Sequence, residues 1–165
     1  MAIQYVGGVA VGRTGNSNAT TTQSLTGLTG GIASAPAAGD IVIVCCAVGS
    51  QGRNNAQAIS GYTTLGTQLN TTAVTYDSSM QVSYKVMTST PDTSITIPAQ
   101  GNVADGQAWA VMVFRGVNVT TPFSPSSVSA TGTGTGRPDP NAITPTVAGT
   151  WIVQAVAAAA AATTT

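Results

Sequence analysis

The chain contains no histidine and no glutamate, and charged residues of every kind make up 6% of it, against about a quarter in an ordinary globular protein. The bases Arg13, Arg53, Lys85, Arg115 and Arg137 and the acids Asp40, Asp77, Asp92, Asp105 and Asp139 are scattered singly and sum to zero. No basic patch is present to neutralise a row of phosphates, which argues against nucleic-acid binding. No polybasic segment or basic amphipathic helix is present to hold an anionic membrane. Aromatic residues are 5% of the chain, and there are two cysteines. A zinc site takes four ligands, usually separated Cys and His. With Cys45 and Cys46 adjacent and no histidine, no metal or cofactor is expected.

Other absences bear on location and solubility. Residues 1–8 lack the basic region and apolar stretch of a secretory signal, so synthesis in a cytoplasm is expected. The longest low-polarity stretch, residues 151–162, is too short and too alanine-rich for a membrane span. A monomer with so little charge resists aggregation poorly. A neutral surface rich in Thr, Ser, Asn and Gly suits a protein packed against copies of itself or a larger assembly.

What is present is a set of strand patterns. The 165 residues suffice for one domain with a real core, and the hydrophobic fraction is 42%, much of it alanine. Residues 39–48, Gly-Asp-Ile-Val-Ile-Val-Cys-Cys-Ala-Val, form a continuous apolar run. Strand side chains alternate between faces, so a run apolar at every position is covered on both sides. Ile and Val favour strands. Ile41, Val42, Ile43 and Val44 therefore predict the central strand of a β-sandwich. Residues 108–116, with Trp109, Val111 and Val113 on one face and Ala110, Met112 and Phe114 on the other, predict a second strand covered on both sides.

Weaker patterns predict the rest. Residues 3–11 read as a first strand near an edge. Residues 12–31 read as a polar loop tacked down by Leu25 and Leu28. Residues 62–69 alternate weakly, and residues 94–97 alternate until Pro98. In residues 80–87, Met80, Val82, Tyr84 and Val86 share one face and Gln81, Ser83 and Lys85 the other, which predicts a half-buried antiparallel strand. Residues 122–145 are a Gly/Pro/Thr-rich linker or long loop whose prolines forbid central-strand pairing. Residues 150–156 predict a last strand that includes Trp151. The expected organisation is main sandwich strands in 1–121, the linker in 122–145, and a returning strand in 146–165. No segment shows sustained helical periodicity. A faint echo links Pro36-Ala-Ala-Gly39-Asp-Ile-Val-Ile-Val-Cys-Cys-Ala-Val48 to Pro145-Thr-Val-Ala-Gly149-Thr-Trp-Ile-Val-Gln-Ala-Val-Ala157. Either two strand groups complete one sandwich, or residues 146–165 begin a second repeat cut short.

The candidate chemistry is thin. Cys45 and Cys46 point to opposite faces of a strand and read as small buried hydrophobes, with an intermolecular disulfide as the residual role. Ser83 and Lys85, two apart on one face, match a Ser–Lys nucleophile, but no oxyanion-hole motif follows. No pair of aspartates shows a calcium-loop or glycosidase spacing. Residues 102–106, Asn-Val-Ala-Asp-Gly, read as a turn before a cation loop. Gly132 to Gly136 lacks the Lys-Ser/Thr of a phosphate loop. Trp109 and Trp151 would stack on sugars if exposed, whereas their apolar strands argue for core packing. Asn18, Asn70 and Asn118 match glycan acceptors, which carry no weight without a secretory signal.

Several stretches carry a resemblance. They are Ala2-Ile-Gln-Tyr-Val-Gly-Gly8, residues 28–44, Val82-Ser-Tyr-Lys-Val-Met87 with Pro91-Asp-Thr-Ser-Ile-Thr-Ile97, and Ala110-Val-Met-Val-Phe-Arg-Gly-Val117 with Thr121-Pro-Phe123. In these the chain resembles structural proteins of tailed bacteriophages. The resemblance implies an all-β, antiparallel, jelly-roll-like sandwich on the exterior of a virion, as a decoration, cement, collar, fibre or tail component, with no catalytic residues. It implies contact with copies of itself, a trimer being one form that suits such a role, and with other virion proteins. The competing expectation is a carbohydrate-binding or adhesin module for a host glycan.

Overall fold

The computed structural model describes residues 2–13, 19–49, 58–68, 78–99, 106–124 and 142–157. Among these residues it is all-β, with no helix and seven strands: β1 (Gln4–Arg13), β2 (Thr21–Ser24), β3 (Ile41–Gly49), β4 (Thr63–Gln68), β5 (Ser78–Val86), β6 (Ser94–Ile97) and β7 (Gln107–Arg115). Every pairing is antiparallel. The main sheet has the order β1-β7-β3-β5-β4, and β2 pairs with β6 in a small second sheet. The second sheet lies over one face of the first, giving the expected sandwich.

The apolar run takes the middle of the main sheet. Residues Ile41 to Cys46 of β3 are all buried, because the strand is flanked on both sides and covered on both faces. Its even side chains join the larger core. There Val42, Val44 and Cys46 sit beside Val113, Val111 and Trp109 of β7. Leu25, Leu28, Ile59, Met87, Ile95 and Ile97 complete that core, Ile95 and Ile97 from β6 of the second sheet. Trp109 Nε1 donates to Gln23 Oε1 at 2.9 Å and stitches β7 to β2. The odd side chains, Ile41, Ile43 and Cys45, face the opposite way and pack with Phe114.

β1 lies at the sheet edge, as its pattern predicts, and carries a bulge between Tyr5 and Gly7. Residues 29–33 strap that edge. Gly8 N donates to Thr29 O at 2.9 Å, Ile32 N to Tyr5 O at 3.2 Å and Ala33 N to Val6 O at 3.0 Å. The strap passes so close that a Cβ on Gly31 would collide with the backbone of Val6 and lie 2.6 Å from Gly7 N.

Three expectations need correction. The polar stretch 12–31 contains β2, because Thr21 to Ser24 find a partner in β6 that local composition does not reveal. β5 is turned over. Its polar residues Ser79, Gln81 and Ser83 are buried on the inner face, while Met80, Val82, Tyr84 and Val86 are half-buried on the outer one. The register decides this: Ile43 sits opposite Tyr84 and Val44 opposite Ser83, so the polar row follows the inner side chains of β3. The inward amide is bonded, with Gln81 Nε2 donating to Ser83 Oγ at 3.2 Å and Thr64 Oγ1 at 3.3 Å. Residues 150–157 form no strand, and Trp151 is 50% exposed rather than in the core, because no ladder partner flanks it among the described residues. Residues 125–141 of the expected linker 122–145, and residues 158–165, lie outside the described residues.

Candidate interaction surface

The structure separates the residues singled out for chemistry. Ser83 is fully buried, and its hydroxyl accepts from Gln81. Lys85 turns instead to Asp92, its Nζ donating to both carboxylate oxygens at 2.7 and 2.8 Å. Tyr62 completes this group: its hydroxyl donates to Asp92 Oδ2 at 3.3 Å, and its ring centroid lies 5.6 Å from Lys85 Nζ. Burial, and then the charge and hydrogen bond of Asp92, push the Tyr62 phenol well above its ordinary range. The group ties β5 to the turn before β6. It leaves Lys85 engaged rather than poised as a base for Ser83.

Cys45 and Cys46 are free, buried thiols. Burial pushes Cys45 up to about 11. Burial, with the neighbouring Cys45, pushes Cys46 up to about 12. A thiolate is the reactive form, so both are chemically quiet at neutral pH.

One charged pair is invisible to spacing. Asp40 is 1% exposed, and it accepts from Arg115 Nε and Nη2 at 2.9 Å each and from Ala37 N at 2.8 Å. The bidentate fork joins the start of β3 to the end of β7. It raises the Arg115 pKa, chiefly through the hydrogen bond to Asp40. Antiparallel neighbours bring together residues 75 apart in the chain, which no local motif signals.

The remaining candidates are structural or lie outside the described residues. No group of three or more His, Cys, Asp or Glu that would suit a metal ion occurs among the described residues. Asn118 Oδ1 accepts from Thr120 N at 2.9 Å and Thr121 N at 3.1 Å, forming a local turn. Asn18, Asn70, Asn102, Asp105 and Gly132 to Gly136 fall outside the described residues. Trp109 is buried, with Arg13 Cζ 5.5 Å from its ring centroid.

What the structure does assemble is an apolar surface on the outer face of the main sheet. Tyr84 packs edge-on against Phe123 at 4.7 Å between ring centroids, and Phe114 against Trp151 at 5.9 Å. Tyr5 lies tilted against Phe114 at 5.5 Å. Ala155 joins the same cluster, and Ser78 Oγ donates to Ala157 O at 3.2 Å. The C-terminal segment thus lies across the face without pairing to it. Val147, Ile152, Val153 and Val156 remain exposed, Ile152 by 65%. No charged residue occurs in 142–157. The sequence echo has a conformational counterpart, since Gly39 and Gly149 adopt φ of 79° and 78° before their apolar stretches. A left-handed glycine at a turn is the conformation other residues avoid. Comparison with protein-family models, curated proteins and solved structures finds no match.

Proposed function

We propose that the chain is a non-enzymatic structural protein of a bacteriophage virion, an exterior decoration, cement, collar or tail-fibre-type component. It works through contacts with copies of itself and with other virion proteins. The observation that carries this reading is the uncharged apolar surface formed by the outer sheet face and residues 147–156, with large aliphatic side chains and half of Trp151 open to solvent. Contiguous exposed apolar surface rimmed by polar residues marks a site of association. The bacteriophage setting is supported by the resemblance described above. Sedimentation velocity over a concentration series tests the contact role, with a rising weight-average mass expected. A monodisperse monomer at high concentration overturns it. Locating the chain in an intact particle by cryo-electron microscopy tests the setting.

One observation favours a second reading, in which the module binds a host-surface glycan. Trp151 is 50% exposed while its ring meets Phe114 edge-on, and an accessible indole suits stacking on a sugar. A glycan array that shows binding abolished by Trp151→Ala supports this reading. An array without hits removes it.

A further inference from the structure

The contact role leaves open which backbone makes the contact. Resting on that role, we infer that residues 151–157 are a docking strand whose occupant is the same segment of a second copy, paired antiparallel across a two-fold axis.

Four observations carry this. First, the segment already alternates like a strand. Trp151 packs on Phe114 and Ala155 joins its cluster, and Val153, 40% exposed, is less open than Ile152 and Val156 at 65% and 49%. Period-two alternation is the strand signature. Among the described residues its backbone makes no ladder bond, and its one tie is the hydroxyl of Ser78 on Ala157 O. Second, the chain contains its own precedent. The echoed sequence at 36–48 follows an equivalent left-handed glycine and becomes β3, bonded to an antiparallel neighbour on each side. Residues 151–157 have the same lead-in with both bonding edges unpaired by any described strand.

Third, the absence of charge suits a second copy. Residues 142–157 carry none, and Ile41, Ile43, Cys45, Phe114, Tyr84 and Phe123 of the adjoining face are uncharged as well. A charged partner would find no complement there, whereas a second copy meets no like-charge repulsion. A two-fold contact requires a patch to be complementary to itself, and an uncharged strand paired antiparallel with its own copy meets that condition. Fourth, the contact continues a layer already begun. Phe123 on Tyr84 and Trp151 on Phe114 start a covering of the outer face, and the second segment extends it.

The test uses the full chain in two variants. In Gln154→Cys the new thiol lies at the middle of the segment, and Cys45 and Cys46, being buried, do not compete. Mild oxidation is expected to give a disulfide-linked dimer, and to give none with Thr22→Cys on the exposed side of β2. The double variant Ile152→Lys/Val156→Lys is expected to weaken association by about ten-fold or more in sedimentation velocity, with an unchanged far-ultraviolet spectrum. If the wild type associates while the double variant associates equally and Gln154→Cys cross-links no better than Thr22→Cys, this surface is wrong and the contact role stands. If the wild type stays monomeric and its 152–156 amides resist hydrogen exchange, the chain covers the segment itself, and both the surface and the self-association fall.

Discussion

At the scale of single residues, the ion pairs Asp40–Arg115 and Lys85–Asp92 differ in what they sustain. Asp40 is enclosed and relies on the Arg115 fork, so removing the guanidinium strands a buried carboxylate. Arg115→Met is expected to lower unfolding free energy by about 3 kcal/mol in urea titration, in line with other broken buried pairs. The Lys85–Asp92 pair is more open and far more replaceable. The cysteines set a pH dependence. Their folded pKa values, about 11 and about 12, lie above the ordinary 9.0. The unfolded chain therefore releases these protons first, and stability is full below pH 9.0 and declines as pH rises toward 11 to 12. Melting temperature is expected to fall across that window, and less steeply in Cys45→Ala/Cys46→Ala. Tyr62, also raised, keeps part of the slope.

At the scale of elements, the paired glycine turns offer an internal comparison. Gly39 and Gly149 share nearly the same φ, but only Gly39 leads into a paired strand. A side chain in that conformation costs about 1–2 kcal/mol. Gly39→Ala is expected to lower the melting temperature in calorimetry, and Gly149→Ala to lower it less, because the unpaired segment after Gly149 can shift to relieve the strain. Much of the element plan was legible in the residues. The all-apolar run at 41–46 announced a doubly covered central strand, and the alternation at 109–114 announced its neighbour. β5 shows the limit of that legibility. Alternation says which residues share a face but not which face meets the larger core, and the pairing of Val44 with Ser83 settled that. β2 was hidden because four polar residues become a strand only through β6. Residues 150–156 carried the local marks of a strand yet lack, among the described residues, the neighbours that would make one. In the site itself, the exposed Trp151 and the Asp40–Arg115 fork depend on contacts distant in sequence, which composition cannot express.

At the scale of the whole molecule, near-absence of charge fixes how the proposed self-association would respond to solvent. Ion pairs weaken as salt shortens the screening length, whereas apolar burial does not. Raising sodium chloride from about 0.05 M to about 0.5 M is expected to leave the sedimentation profile unchanged. Sulfate is expected to strengthen association, because excluded salts favour apolar burial. A change driven by sodium chloride alone would point to a charged contact instead.

The strap over β1 bears on a hazard common to sheet proteins. A bare rim of amides invites another chain to lay its own strand alongside, and repetition of that step makes filaments. Here Thr29, Ile32 and Ala33 fill the bonding positions of Tyr5, Val6 and Gly8, the first part of β1, from within the same chain. Gly31 is the hinge of that seal, since any larger residue presses into Val6. Gly31→Val should peel the seal away and seed thioflavin-positive fibrils on mild warming, under conditions in which the parent protein stays clear.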